Sequence, residues 1–166
     1  MPRGYCGKIL RVDLSLEVVK DEPIPESLYK NYLGGPGLAS RILFDEVPPH
    51  ISPFDPVNRL IFMTGLLTGT GVLAGARYAV VCKSPQTMGY GEATAGGKWA
   101  SELKQAGYDG IVIQGCAKTP KYLLVSKDQV EIRKANHLWE KDTLQTEELL
   151  QQELGLDKEA KTLYGI

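Results

Sequence analysis

The sequence predicts an α+β domain with a mixed or antiparallel sheet, and three observations predict it. Short β-rich runs come in two hairpin-like pairs, one at the start of the chain and one around residue 125. Helical patterns fall between strands without strict βαβ alternation. The order hairpin, helix, strand recurs in both halves of the chain, which predicts two related hairpin-helix-strand units with a central section between them. With 166 residues, the chain is read as a single domain over residues 1–166.

The first unit opens with Lys8 to Asp13 (KILRVD) and Glu17 to Lys20 (EVVK), two strand patterns around a turn at Leu14 to Leu16. Pro25 and Glu26 then begin ESLYKNYLGG, a short helix carrying Leu28, Tyr32 and Leu33, with a glycine pair to stop it. From Gly37 the segment LASRILFDEV holds a second helical pattern, closed by Pro48 and Pro49. Leu60 to Thr64 is a buried strand. The central section reads as a strand at Ala76 to Lys83, a glycine-rich turn region, a helix from Lys98 to Gln105 stopped by Gly107, and a strand at Ile111 to Gln114.

The second unit repeats the plan. Tyr122 to Ser126 and Val130 to Arg133 flank a turn at Lys127 and Asp128, and Thr143 to Leu154 is a helix with Asp142 or Thr143 as its cap. Leu144, Leu149, Leu150 and Leu154 form its apolar stripe, and Gly155 ends it. Lys161 to Ile166 (KTLYGI) then resembles Arg59 to Gly65 (RLIFMTG) as a closing strand.

Composition removes several functions. At 43% hydrophobic and 23% charged residues the chain has the make-up of a globular protein rather than a disordered one. A formal net charge of -1 with scattered Lys and Arg argues against nucleic acid as a partner. Its apolar runs fall far short of the roughly 20 residues of a membrane span, and MPRGYCGKILRVDL has no signal-peptide h-region, so a cytoplasmic location is expected. Cys6, Cys82 and Cys116 are widely spaced with no CxxC, which predicts neither a disulfide framework nor a metal knuckle.

The candidate site lies in a glycine-dense run. Eight of the 18 glycines fall between Gly65 and Gly97. Clustering the residue that gives up most backbone entropy is costly unless the backbone needs positive φ or a close approach to a ligand. Gly96 and Gly97 precede a helix that Thr94 is placed to cap, and free N–H groups at such a start suit an anion. Arg77, a fork of five donors beside glycine, suits bidentate contact with phosphate or carbonyl oxygens; its plainer reading is a strand-end arginine paired with a surface acid. Lys83 reads as solvated. Gly69 to Ala74 (GTGVLA) has the letters of a dinucleotide turn, but a strand pattern follows where a helix is required, and no GxxxxGK[ST] occurs. His50 and His137 have no cysteine or carboxylate partner nearby in sequence, and Glu147 and Glu148 read as a solvated pair. Local spacing supplies no catalytic residue.

Several ordered segments carry more. GKILRVDLS, YLGGPGLASRIL, PFDPVNRLIF, GLLTGTGVLAGARYAVVCKSPQT, AGGKWASELKQAGYDGIVIQGCA and VEIRKANHLW together resemble the N-terminal domain of the tungsten-containing aldehyde:ferredoxin oxidoreductases, whose relatives include the tungsten subunit of benzoyl-CoA reductases. The likeness runs over essentially the whole chain. It implies an α+β platform of two related halves on which a tungsten or molybdenum ion held by two pterin dithiolenes rests. It also implies that Arg77 contacts the pterin cofactor, that Gly96 belongs to the loop that follows, and that Thr94 stands where the tungsten enzymes carry an asparagine contact. A hydroxyl can donate one hydrogen bond there but lacks the second amide group.

The same resemblance places the four cysteines of a [4Fe-4S] cluster in later domains, and a second arginine- and glycine-rich cofactor loop shortly after KTLYGI. Cys6, Cys82 and Cys116 do not match the cluster ligands. The implied full-length enzyme oxidises an aldehyde to a carboxylic acid and passes electrons through the cluster to ferredoxin. The partners expected of this chain are the remaining domains or subunits of that oxidoreductase, with a second copy of the chain among those it allows. A cofactor-free assembly or interaction module, a split-enzyme subunit, or a benzoyl-CoA reductase-like tungsten subunit are the alternative readings.

Overall fold

A computed structural model describes residues 4–155. The chain forms β1 (Lys8–Asp13), β2 (Val18–Pro23), α1 (Glu26–Tyr32), α2 (Gly35–Glu46), β3 (Leu60–Thr64), β4 (Tyr78–Lys83), β5 (Tyr90–Ala95), α3 (Trp99–Gln105), β6 (Gly110–Gln114), β7 (Lys121–Val125), β8 (Val130–Lys134) and α4 (Thr143–Glu153). This is the expected α+β class. Six strands make one sheet in the order β2-β1-β6-β3-β4-β5, and β7 pairs with β8 in a separate ribbon. Within the sheet β1 and β6 run parallel and every other neighbouring pair is antiparallel.

Strand alternation divides the side chains between two cores, because successive residues point to opposite faces. Ile9 on β1, Ile61 and Met63 on β3, Ala79 and Val81 on β4, and Val112 on β6 point to one face, where Leu38, Ala39, Ile42 and Leu43 of α2 and Tyr29 of α1 cover them. Leu10, Val12 and Ile111 point to the other, together with Leu103 of α3 and the inner side chains of the β7–β8 ribbon. A helix layer, a sheet and a layer of helix plus ribbon therefore stack in that order. A third, smaller cluster joins Tyr122, Ala135, Leu138 and Leu150 beneath α4.

Most predicted elements are present, and the differences have local causes. The first hairpin turns where expected, fixed by the Asp13 carboxylate, which accepts the backbone N–H groups of Ser15 and Leu16 at 2.9 Å each. Leu33, not the glycine pair, ends α1: it adopts φ 63, and its N–H reaches the Tyr29 carbonyl. Gly34 then serves as the N-cap of α2, and Gly35 lies inside that helix. The glycine-rich turn region after β4 contains a strand, β5, whose YGEATA sequence offers little apolar signal. Asp142 is the cap of α4, accepting the Gln145 N–H at 2.8 Å. Leu144 leaves the predicted stripe and is 72% exposed, while Leu150 is 6% exposed.

The repeated hairpin-helix order is present in β1–β2–α1 and β7–β8–α4. The first hairpin lies at one edge of the large sheet, whereas the second stands as its own ribbon. The predicted closing strand at 161–166 lies outside the described residues.

Candidate functional site

The glycine-dense run folds into a loop from Gly65 to Arg77 and then the β4–β5 hairpin at the far edge of the sheet. Thr68, only 2% exposed, organises the loop from inside. Its hydroxyl faces the Gly75 carbonyl at 3.0 Å and the Arg77 carbonyl at 2.9 Å. The Arg77 carbonyl also accepts the Gly65 N–H at 3.0 Å, and the Arg77 N–H donates to the Gly75 carbonyl at 3.0 Å. Gly75 is needed for this closure, since a Cβ there would sit 2.9 Å from the Leu67 carbonyl oxygen and 3.1 Å from that of Val72. The outward tip of the loop is apolar: Leu67, Val72 and Leu73 are 51%, 53% and 95% exposed.

The β4–β5 register brings the three predicted residues to one place. Ala79 pairs with Thr94 and Tyr78 with Ala95. Arg77 immediately precedes β4 and Gly96 immediately follows β5, so the same register carried one residue further sets them opposite each other. A Cβ on Gly96 would lie 3.7 Å from the Ala76 carbonyl oxygen, which confirms how closely the two segments approach. Gly97 has φ 97 and open space at its Cβ position. Arg77, Thr94, Gly96 and Gly97 are all exposed.

Arg77 has no ion pair or side-chain hydrogen bond among the described residues, so none of the acids among them ties it down. Thr94 is not a helix cap. It lies within β5, and Lys98 occupies the N-cap of α3 without any side-chain capping bond. Lys98 is a second exposed cation without a partner among the described residues. Two free cations thus flank a bare glycine pair, an arrangement that attracts oxyanions by charge and by backbone donors.

Behind this edge lies a buried polar hub that local spacing did not show. Asp109, 2% exposed, sits at the entry to β6. Its carboxylate accepts the Cys6 N–H at 3.0 Å, the Gly7 N–H at 2.7 Å, the Tyr29 hydroxyl at 2.6 Å and the Lys104 ammonium. The Lys104 ammonium also donates to the Gly4 carbonyl at 2.6 Å. The Asp109 main-chain carbonyl accepts the Thr64 N–H at 2.9 Å and its hydroxyl at 2.7 Å. The last residue of β3, from which the glycine loop departs, is therefore hung from the hub. Burial, reinforced by the hydrogen bond to Asp109, pushes the Tyr29 phenol far above its ordinary range, so it stays a donor. Tyr5 stacks on Tyr29 with ring centroids 4.1 Å apart. Burial also raises the Cys6 thiol.

The other predicted residues lie elsewhere. His137, which has no carboxylate partner nearby in sequence, meets Glu153, 16 residues on, at 2.9 Å. Lys83 donates to the Pro49 carbonyl at 2.5 Å. Glu148 is exposed, and Glu147 accepts from Gln151 at 3.3 Å. A rim cluster joins Arg11 to Glu22 and Glu46, with Arg59 reaching Glu46 at 2.9 Å. Burial opposes ionisation of Glu46, but hydrogen bonds from Arg11 and Arg59 outweigh it and hold the carboxyl below its ordinary value. The three cysteines are free, as expected. Among the described residues no three His, Cys, Asp or Glu side chains converge as metal ligands, and no helix is long and apolar enough to cross a membrane.

Comparison with known proteins gives this fold its relatives. Residues 9–164 match the family described as aldehyde ferredoxin oxidoreductase, N-terminal domain. Over 152 residues the chain is 45% identical to the tungsten-containing aldehyde ferredoxin oxidoreductase of Pyrococcus horikoshii, covering 92% of this chain and 25% of that protein. It is 41% identical over 139 residues to the WOR-like subunit of an aliphatic sulfonate oxidoreductase of Pyrococcus furiosus, covering 82% of this chain and 22% of that one. Among solved structures, the active site complex BamBC of benzoyl coenzyme A reductase, in complex with 1,5-dienoyl-CoA, superposes with a TM-score of 0.92 at 40% identity, covering 95% of this chain and 24% of that chain. The chain thus spans about a quarter of the length of the relatives it matches.

Proposed function

The chain belongs to the aldehyde ferredoxin oxidoreductase family as its N-terminal domain, and from that premise we propose that it is the platform on which a tungsten or molybdenum bis-pterin cofactor rests. The observation that carries this reading is the state of Arg77: a permanently charged fork with no partner among the described residues, held opposite the bare backbone of Gly96. The donor set fits the group. Arg77 and the exposed backbone at Gly96 and Gly97 would hold pterin phosphate or ring oxygens, Thr94 would donate one hydrogen bond, and Lys98 would add charge. When bound, the metal-pterin would supply two-electron oxidation of an aldehyde to a carboxylic acid, with a [4Fe-4S] cluster in later domains and ferredoxin as the expected route for the electrons.

This domain's share is binding and orientation rather than proton transfer. A planar guanidinium aimed at phosphate or carbonyl oxygens fixes one edge of the cofactor, and two glycines allow a flat ring to approach the backbone without a Cβ in the way. Held on an edge hairpin braced by the sheet, these groups need little rearrangement at the moment of binding. In this reading the domain would supply no side-chain ligand to the metal.

A benzoyl-CoA reductase-like tungsten subunit is the second reading, favoured by the close superposition on the BamBC complex. A platform that binds no metal, acting in assembly, is the third, favoured by the exposed apolar tip at Leu73. Metal analysis and pterin fluorescence on anaerobically purified protein separate the third from the others. Co-purification of tungsten or molybdenum with pterin is expected, and the absence of all three would overturn the cofactor reading. Assays with an aldehyde and with an aromatic CoA thioester, made on the domain assembled with the remaining domains or subunits of the oxidoreductase, then distinguish the first two.

A further inference from the structure

We infer that Thr68 is a positioning residue for the cofactor site: its buried hydroxyl fixes the two carbonyls that flank Ala76, and so sets the direction in which Arg77 leaves the loop. This inference rests on the reading of Arg77 as a cofactor contact. Thr68 is 2% exposed, and no solvent reaches its hydroxyl to satisfy it otherwise. One hydroxyl proton is shared between the Gly75 and Arg77 oxygens, at 3.0 and 2.9 Å. Those same oxygens accept from main-chain groups: Arg77 N–H to Gly75, and Gly65 N–H to Arg77. The hydroxyl therefore sits where the start and the end of the loop meet.

The rest of the loop gives Arg77 no other anchor. Its guanidinium has no partner among the described residues, so what the fold fixes is the backbone from which the side chain departs. That backbone follows Ala74, a non-glycine residue at φ 60, and Gly75, at which a Cβ would meet the Leu67 carbonyl. Positive φ at alanine is unfavourable and persists only where surroundings over-determine it. The shared hydrogen bond of Thr68 closes the turn just past this strained residue. At its other end the loop departs from Thr64, the last residue of β3, which is tied to the Asp109 hub, so Thr68 links a rigid frame to the backbone of an otherwise free cation.

Thr68→Val keeps the shape and removes the hydroxyl, leaving the Gly75 and Arg77 carbonyls one donor short. Thr68→Ser keeps the hydroxyl and removes a methyl. In the anaerobically purified holoprotein, pterin retained after dilution is expected to fall about tenfold in Thr68→Val, the loss that corresponds to one hydrogen bond's worth of orientation, and to stay within about twofold of the parent in Thr68→Ser. Hydrogen exchange supplies a readout independent of the cofactor: the Gly65 amide should exchange faster in the valine variant and not in the serine variant. In an Arg77→Ala background, Thr68→Val should add no further loss of pterin, because the two act through one contact.

The outcomes separate the two claims. Full pterin retention in Arg77→Ala sinks the site reading and this inference with it. Loss in Arg77→Ala with full retention in Thr68→Val overturns the role of Thr68 alone, as does an equal loss in serine and valine variants or additive loss in the double variant. Thr68→Ala replaces the valine variant if the latter does not fold; failure of both to fold would overturn the inference by showing that Thr68 serves the core.

Discussion

Lys104, packed against Gly69, and Arg77, which ends the same glycine loop, face opposite conditions. Lys104 is 7% exposed, paired with Asp109 and bonded to the Gly4 carbonyl, with Asp109 saturated by donors from three further groups. Arg77 is exposed and bonded to none of the described residues through its side chain. A buried charge must be compensated inside the protein, because the alternative is an unpaired ion in a low-dielectric interior. A solvated charge carries no such obligation and is available to a ligand. Full compensation marks a cation that holds the fold; a free cation held on a rigid, bare backbone marks one that can hold something else.

That contrast can be broken most forcefully at the hub. Asp109→Ala strands the Lys104 ammonium and frees four donors, so chemical denaturation should show a loss of about 3–5 kcal/mol; a loss under 1 kcal/mol would mean that water compensates the site. Tyr29→Phe removes one donor to a charged acceptor, and about 1.5–3 kcal/mol should be lost by the same measurement. The rim cluster tests whether a half-exposed network resembles the hub. The Glu46 carboxyl is held below its ordinary value, so its contribution is fully present above the unfolded carboxylate value of about 4.3 and is lost as pH falls through the lower folded value. Urea midpoints measured from pH 7 down to pH 3 should therefore drop less in Glu46→Gln than in the parent.

The free edge should respond in the opposite manner. Arg77→Ala is expected to leave stability within about 0.5 kcal/mol of the parent while lowering pterin and metal content; unchanged metal content would remove Arg77 from the site. Thr94→Asn supplies the second amide group that Thr94 lacks, and a small rise in pterin retention without a change in melting temperature is expected. A drop would show that the Thr94 side chain already makes the fitting contact.

The fold was legible where apolar periodicity is strong and opaque where it is not. Leu60–Thr64 and Tyr78–Lys83 contribute Ile61, Met63, Ala79 and Val81 to a core, and their strand pattern shows in the letters. Tyr90–Ala95 contributes nothing to either core; it is an edge strand made by pairing with β4, and its sequence reads as a turn. Thr94 was consequently placed at a helix start it does not occupy. The glycine run pointed to Arg77 and Gly96, because glycine density is a local signal of close backbone approach. Thr68 and Lys98 carried no such mark. The Asp109 hub was invisible for a different reason: Cys6 and Tyr29 lie 103 and 80 residues away in sequence, and only the fold brings them together.

The position of β6 between β1 and β3 also dictates the order in which the chain can assemble. Leu10 pairs with Ile111, and Ile61 with Val112, so both halves of the large sheet wait for one late segment. Until β6 has been made, at about 5–20 residues per second of synthesis, the β1–β2 hairpin and the three-stranded β3–β4–β5 meander have no sheet pairing with each other, and each leaves open the edge that β6 fills. The ribosome must release residue 114 before either edge is closed. This N-terminal domain is thus exposed to misassembly for most of its own translation, and Gly110–Gln114 is the piece whose arrival ends that period.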